Sequence, residues 1–211
     1  KEDKIIAVEN GVDTDYFAAA ASYPDPYGGS GPVMVFTGAM DYWPNIDAVT
    51  WFARDIFPAI RQAVPHSRFC IVGSHPTREV ENLGAMTGVS VTGRVPDVRP
   101  YLAHAALAVA PMRIGRGIQN KVLEAMAMAK PVLTTALGAE GVLDHRPQLS
   151  LRICSGPQDW VNGAVNILHL GDVDGLGRRA EQYIKQRFAW DRSLAVLDNL
   201  LSGSPALSHV S

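Results

Sequence analysis

Pro111–Thr135, PMRIGRGIQNKVLEAMAMAKPVLTT, sets a glycine-rich turn and a helical repeat between two short apolar runs. LAVAPM (Leu107–Met112) before it and PVLTT (Pro131–Thr135) at its end have the continuous apolar character of buried parallel strands. Gly115 and Gly117 let the backbone turn sharply and come close to a ligand. From about Ile118, the spacing of Ile118, Val122, Met126 and Ala129 predicts a helix with one buried face. Strand, turn and helix in that order aim the free N–H groups of the first helical turn at the carboxyl edge of a sheet, where α/β folds hold their ligands.

A helix start attracts phosphate, yet its dipole is worth only about 0.3–1 kcal/mol at an exposed site. A diphosphate needs more, and Arg113, Arg116 and Lys121 are the cations at hand. The same residue types also make an ordinary solvated turn, so composition alone leaves both readings open. Glu124 stands alone in the apolar run VLEAMAMA, and burying an unpaired carboxylate costs several kcal/mol. Its candidate partners are Lys121, three residues earlier on the helix, and a pair of ligand hydroxyls such as those of a ribose.

Outward from this stretch, strands and helices alternate. VMVFTG (Val33–Gly38) reads as a strand, and Pro44-Asn45 opens a helix with Asn45 as the expected N-cap. Ile46, Val49, Phe52, Ala53, Phe57 and Ile60 form its apolar face. Gly38 and Ala39 either bring backbone amides to a phosphate or make a plain tight turn. Tyr42 and Trp43 either stack on something in a cleft or cap the core. RFCIVGS (Arg68–Ser74) and VSVTGRV (Val89–Val95) are further strands, each followed by a helix, PTREVENLGAM and DVRPYLAHA. LGAEGV (Leu137–Val142) is a glycine-bearing loop beside the site. LSLRICS (Leu149–Ser155) is a last strand, and helices follow from Pro157 to about Leu170, from Val173 to Arg187, and through FAWDRSLAVLDNLL with Leu194, Leu197, Leu200 and Leu201 apolar. The alternation predicts one α/β, Rossmann-like, doubly wound parallel sheet. Residues 1–32 read as hinge and linker, 33–187 as the Rossmann-like domain, 188–203 as a C-terminal crossing helix and 204–211 as a tail.

At 211 residues, 47% hydrophobic and 19% charged, the chain suffices for one sizeable core. A formal charge of −2 argues against a dedicated nucleic-acid binder and against a polybasic membrane anchor. No apolar run approaches the length of a membrane span. Cys70 and Cys154 sit far apart in strands, which favours buried free thiols over a disulfide. His66, His75, His104, His145 and His169 show no metal-like spacing, so no metal is expected. The first strand's turn lacks the dinucleotide glycine fingerprint, which lowers NAD-dependent chemistry.

KVLEAMAMAKPVLTT (Lys121–Thr135), with ENGVDTDYF (Glu9–Phe17), resembles the C-terminal, donor-binding domain of the retaining GT-B glycosyltransferases of family 4, the group 1 sugar transferases. The resemblance implies a nucleoside diphosphate sugar as donor substrate, no further cofactor, and Glu124 on the ribose. It implies that the loop at Gly93, Arg94 and Val95 reads the base through its backbone. Two departures stand out: the family's second glutamate is replaced here by Arg116, and TGAMDYWPNID lacks the family's arginine and lysine on the diphosphate. Arg113, Arg116 and Lys121 are expected to compensate, with Gly115, Gly117, Ile118, Gln119 and Asn120 as further donor contacts beside Gly38 and Ala39. Catalytic roles fall to Glu124, Lys121 and Arg116. GAMDYWPN followed by RIGRGIQNKVLEAMA resembles a subgroup associated with bacterial exopolysaccharide synthesis. The start at Lys1, directly on the family's hinge, suggests a fragment, inactive alone, whose sugar or lipid-linked acceptor would be held by an N-terminal domain. The resemblance implies a cytoplasmic enzyme that meets a membrane only through its complete form. Two alternatives stay open: a nucleotide-sugar epimerase of the same fold, and a non-catalytic Rossmann module for a nucleotide or protein partner.

Overall fold

The computed structural model describes residues 8, 10–19, 21–142, 151–169 and 173–201. Strands β1 (Val33–Thr37), β2 (Arg68–Val72), β3 (Val89–Val91), β4 (Leu107–Ala110), β5 (Val132–Thr134) and β6 (Leu151–Ile153) form one sheet in the order β3-β2-β1-β4-β5-β6. Every pairing is parallel, with Val35 opposite Cys70 on one side and Ala108 on the other. β1 and β4 are therefore neighbours from which the chain winds in opposite directions, the switch point at which open α/β sheets take ligands. Strands buried on both faces must be apolar throughout, which is why VMVFT and LAVA carry no alternation.

Helices α1 (Trp43–Trp51) and α2 (Phe57–Ala63) flank a π-helical segment, Phe52–Ile56, so that one long rod packs on the sheet. All six residues of the expected apolar face are buried. Phe52 meets Phe69 at 4.8 Å and the buried Trp160 edge-on at 5.5 Å, and each such ring contributes roughly 1.5–3 kcal/mol by burial. Asn45 is not the N-cap. The helix begins at Trp43, Tyr42 accepts the first amides, and the Asn45 side chain instead donates to the Ala39 carbonyl at 2.9 Å. It thereby ties the helix start to the turn after β1.

Helices α3 (Arg78–Leu83) and α4 (Arg99–His104) follow β2 and β3. The expected third strand is cut to Val89–Val91, which leaves Gly93–Val95 as loop. Helix α5 (Asn120–Ala127) starts later than the periodicity implies. Ile118 lies in the preceding loop and Ala129 beyond the helix at φ 53°, while Val122 and Met126 are buried as expected. Helices α6 (Pro157–His169), α7 (Val173–Arg187) and α8 (Trp190–Leu201) complete the chain. The expected strand residues Leu149 and Ser150, and the expected helix end at Leu170, fall outside the described residues. Val12 bridges Ala189, and its amide donates to the Phe188 carbonyl at 2.8 Å. Leu194 and Leu197 on α8 are each 39% exposed.

Cys70 and Cys154 are buried free thiols. Among the described residues no helix is long and apolar enough to cross a membrane.

Candidate functional site

A cleft of about 690 Å³ opens over the carboxyl ends of β1 and β4, within the roughly 300–1,000 Å³ of small-molecule sites. Its walls come from loops that follow successive strands. Thr37, Gly38 and Tyr42 follow β1, and Val72, Gly73 and Ser74 follow β2. A Cβ on Gly73 would stand 1.6 Å from the Gly38 carbonyl oxygen, so only glycine lets these two loops touch. Arg94, Val95 and Val98 follow β3, while Arg116, Ile118, Gln119 and Asn120 follow β4. Lys121 and Glu124 face the same space from the first turns of α5, and Asn10 reaches it from the start of the chain.

The glycine turn has the conformation that its sequence asks for, with φ of 130° at Gly115 and 73° at Gly117. Gln119 occupies the N-cap position of α5 without a side-chain cap bond, so the helix presents uncapped amides where the cations converge. The Gly117 amide donates to Glu140 Oε2 at 2.9 Å, which braces the turn from the loop after β5.

Burial drives the Lys121 ammonium down from 10.5 to about 8, although Glu124 pulls the other way. Burial likewise raises Glu124, with Lys121 as the opposing influence. Lys121 Nζ donates to Gln119 Oε1 at 3.2 Å and stands 5.5 Å from the Phe36 ring centroid. The i,i+3 ion pair left open by the sequence is not formed: the Glu124 carboxylate has no hydrogen bond or ion pair among the described residues. A part-buried carboxylate facing a cleft beside a part-buried ammonium is an arrangement for hydroxyls and phosphate together.

Most of the residues singled out from sequence meet here. Glu124, Lys121, Arg116, Gly38, Arg94, Val95, Ile118, Gln119 and Asn120 all line the cleft. Ala39, Arg113, Gly115 and Gly117 do not. Arg113 turns away because its Nε donates to Asp47 Oδ2 at 3.0 Å and its Nη2 to Asp47 Oδ1, with the guanidinium 4.9 Å from the Trp51 ring centroid. The Asp47 bond holds Arg113 above its ordinary range.

Sequence reasoning gives Asn10 no part in the site, yet its Nδ2 donates to Asn120 Oδ1, 110 positions away. It also passed over Ser74, for which a signal existed, a Gly-Ser pair at the carboxyl end of a strand beside β1. Tyr42 and Trp43 are 56% and 60% exposed, so neither caps the core. Among the described residues no cluster of three or more histidine, cysteine or acidic side chains is placed to hold a metal ion.

The family model described as glycosyl transferases group 1 matches residues 31–170. No curated protein sequence matches. Similar solved structures include a glycosyltransferase from Rickettsia africae ESF-5, 19% identical with a TM-score of 0.67, covering 96% of this chain and 57% of that one. Anabaena HepE, solved with UDP and glucose, is 16% identical with a TM-score of 0.69, over 93% of this chain and 56% of that one. Sucrose-phosphate synthase from Thermosynechococcus elongatus is 19% identical with a TM-score of 0.68, over 93% and 51%. The chain spans little more than half the length of these structures.

Proposed function

The chain belongs to the group 1 glycosyl transferases, and from that premise we propose that its cleft is the donor site of a sugar transferase, taking a nucleoside diphosphate sugar. The observation that carries this reading is Glu124, a part-buried carboxylate without a hydrogen-bond or ion-pair partner among the described residues, one turn from Lys121 in the same cleft. Ribose hydroxyls satisfy the carboxylate, and the diphosphate lies over the start of α5, where the uncapped amides, Lys121 and Arg116 share its charge. Arg94 and Val95, after β3, border the base.

In the transfer, the bond from the anomeric carbon to the terminal phosphate oxygen breaks. The acceptor hydroxyl forms the new bond on the same face, and its proton leaves with the diphosphate. Charge grows on the departing phosphate, so donors already fixed around it lower the barrier without reorganising. The acceptor, a sugar or lipid-linked sugar, is bound outside this chain. The enzyme works in the cytoplasm, and any membrane contact is made by the rest of the protein.

HepE was solved with UDP, which makes uracil the first base to try. Calorimetric titration with UDP, GDP and ADP is expected to give binding of one nucleotide. Glu124→Gln is expected to weaken that binding about tenfold, the worth of one or two charge-assisted hydrogen bonds. The same change erases the preference for UDP over its 2′-deoxy form. Equal binding of both forms by the unmodified protein would remove Glu124 from the ribose, and no binding of any nucleotide would sink the donor-site reading.

A further inference from the structure

The loop between β4 and α5 carries Arg116 and leads into the helix start, yet it contains two glycines at φ 130° and 73°. Such a segment samples many backbone states unless something holds it. Three residues before Arg116, one side chain of the loop is held at both its charge and its face. Arg113 meets Asp47 with two parallel hydrogen bonds, and its guanidinium stands 4.9 Å from the centre of the Trp51 ring. Trp51 in turn meets the fully buried Trp160 edge-on at 6.2 Å. Asp47 and Trp51 are one turn apart on α1, so they form a single receiving face for the fork. The Asp47 side chain is only 12% exposed and the Arg113 side chain 45%.

On the donor-site reading, we infer that Arg113 is a positioning residue that never touches the diphosphate. It anchors the glycine turn to α1 and so fixes Arg116 and the amide end of α5 over the cleft, while the Gly117–Glu140 bond fixes the far side. The planar fork and the stacking on Trp51 explain why an arginine stands here, since lysine has neither.

The test is UDP binding by Asp47→Asn, with Arg113→Lys as an independent second variant and near-ultraviolet circular dichroism to confirm that each is folded. If Arg113 positions, both variants weaken UDP by roughly threefold to tenfold, because the competent form of the turn falls to that fraction. The further loss caused by Arg116→Ala then shrinks in the Asp47→Asn background, because that side chain is no longer held in place. If Arg113 were a phosphate ligand, Asp47→Asn would free it and remove a nearby negative charge, so UDP binding would hold or tighten. That result, or full additivity of Asp47→Asn with Arg116→Ala, overturns the inference while leaving the donor site intact. Failure of the unmodified protein to bind UDP, GDP or ADP overturns the donor-site reading and this inference with it.

Discussion

Lys121 is worth more to ligand binding than to folding. Its folded value of about 8 lies below the ordinary 10.5 because burial disfavours the ammonium. The folded state therefore holds its proton less tightly than the unfolded chain does. The resulting penalty is full below about pH 8 and fades as pH rises from 8 to 10.5. Lys121→Met removes it and is expected to stabilise the ligand-free protein by about 1–2 kcal/mol at pH 7, part of the gain being offset as Glu124 loses its nearest cation. A urea melt checks this, and a methionine variant less stable than its parent would mean that the ammonium is effectively solvated. Binding runs the other way. A diphosphate needs the protonated lysine, so UDP affinity should be flat between about pH 7 and 8 and weaken above that, by at most about tenfold per pH unit for one proton. The terminal phosphate itself is fully ionised there, its second step lying near about 6. Affinity unchanged between pH 7 and 9.5 would exclude Lys121 from the diphosphate.

Helix α5 is aimed at the cleft by what packs behind it, and its back is α7. A Cβ on Gly177 would stand 1.8 Å from the Ala129 carbonyl oxygen, so α7 lies against the C-terminal end of α5 only because residue 177 has no side chain. Gly177→Ala should push the helices apart and cost about 1–3 kcal/mol, the usual range for overpacking, readable as a lower urea midpoint. A neutral or stabilising alanine would mean that the contact relaxes freely. The packing also explains what the sequence could and could not reveal. Strands were legible as apolar runs because a sheet covered on both faces leaves no polar alternation to confuse. Helix ends were not. Asn45 looked like a cap, but its amide is spent on the Ala39 carbonyl, a tertiary partner. Ile118 continued the helical period, but it packs as loop against Gly141, where a Cβ would come 2.7 Å from Ile118 Cγ1. In and around the site, Glu124 and the glycine turn announced themselves through local pattern. The anchoring of Arg113 did not, because Asp47 is separated from it by 66 positions, a pairing that only the sheet's strand order creates.

At the scale of the molecule, the residues just after Asn10 meet the segment that joins α7 to α8. Val12 donates to the Phe188 carbonyl at 2.8 Å, and a Cβ on Gly11 would meet the Trp190 ring at 2.9 Å. One residue earlier, Asn10 binds Asn120 at the start of α5. Residues 10–12 are thereby tied at one point to the C-terminal segment and at the next to the helix end that the diphosphate is proposed to occupy. A ligand that orders the start of α5 must then also favour the state in which Asn10 and the Val12 bridge are formed, because a ligand shifts a population by its differential affinity for the two states. UDP should therefore slow hydrogen exchange at the Val12 amide, although that amide does not line the cleft. Asn10→Ala should abolish most of this slowing while leaving the exchange of the buried β1 amides as it was. Unchanged protection at Val12 on saturation of the unmodified protein with UDP would show that residues 10–12 and the proposed donor site move independently. The Asn10–Asn120 contact would then be a local bond without consequence for the rest of the chain.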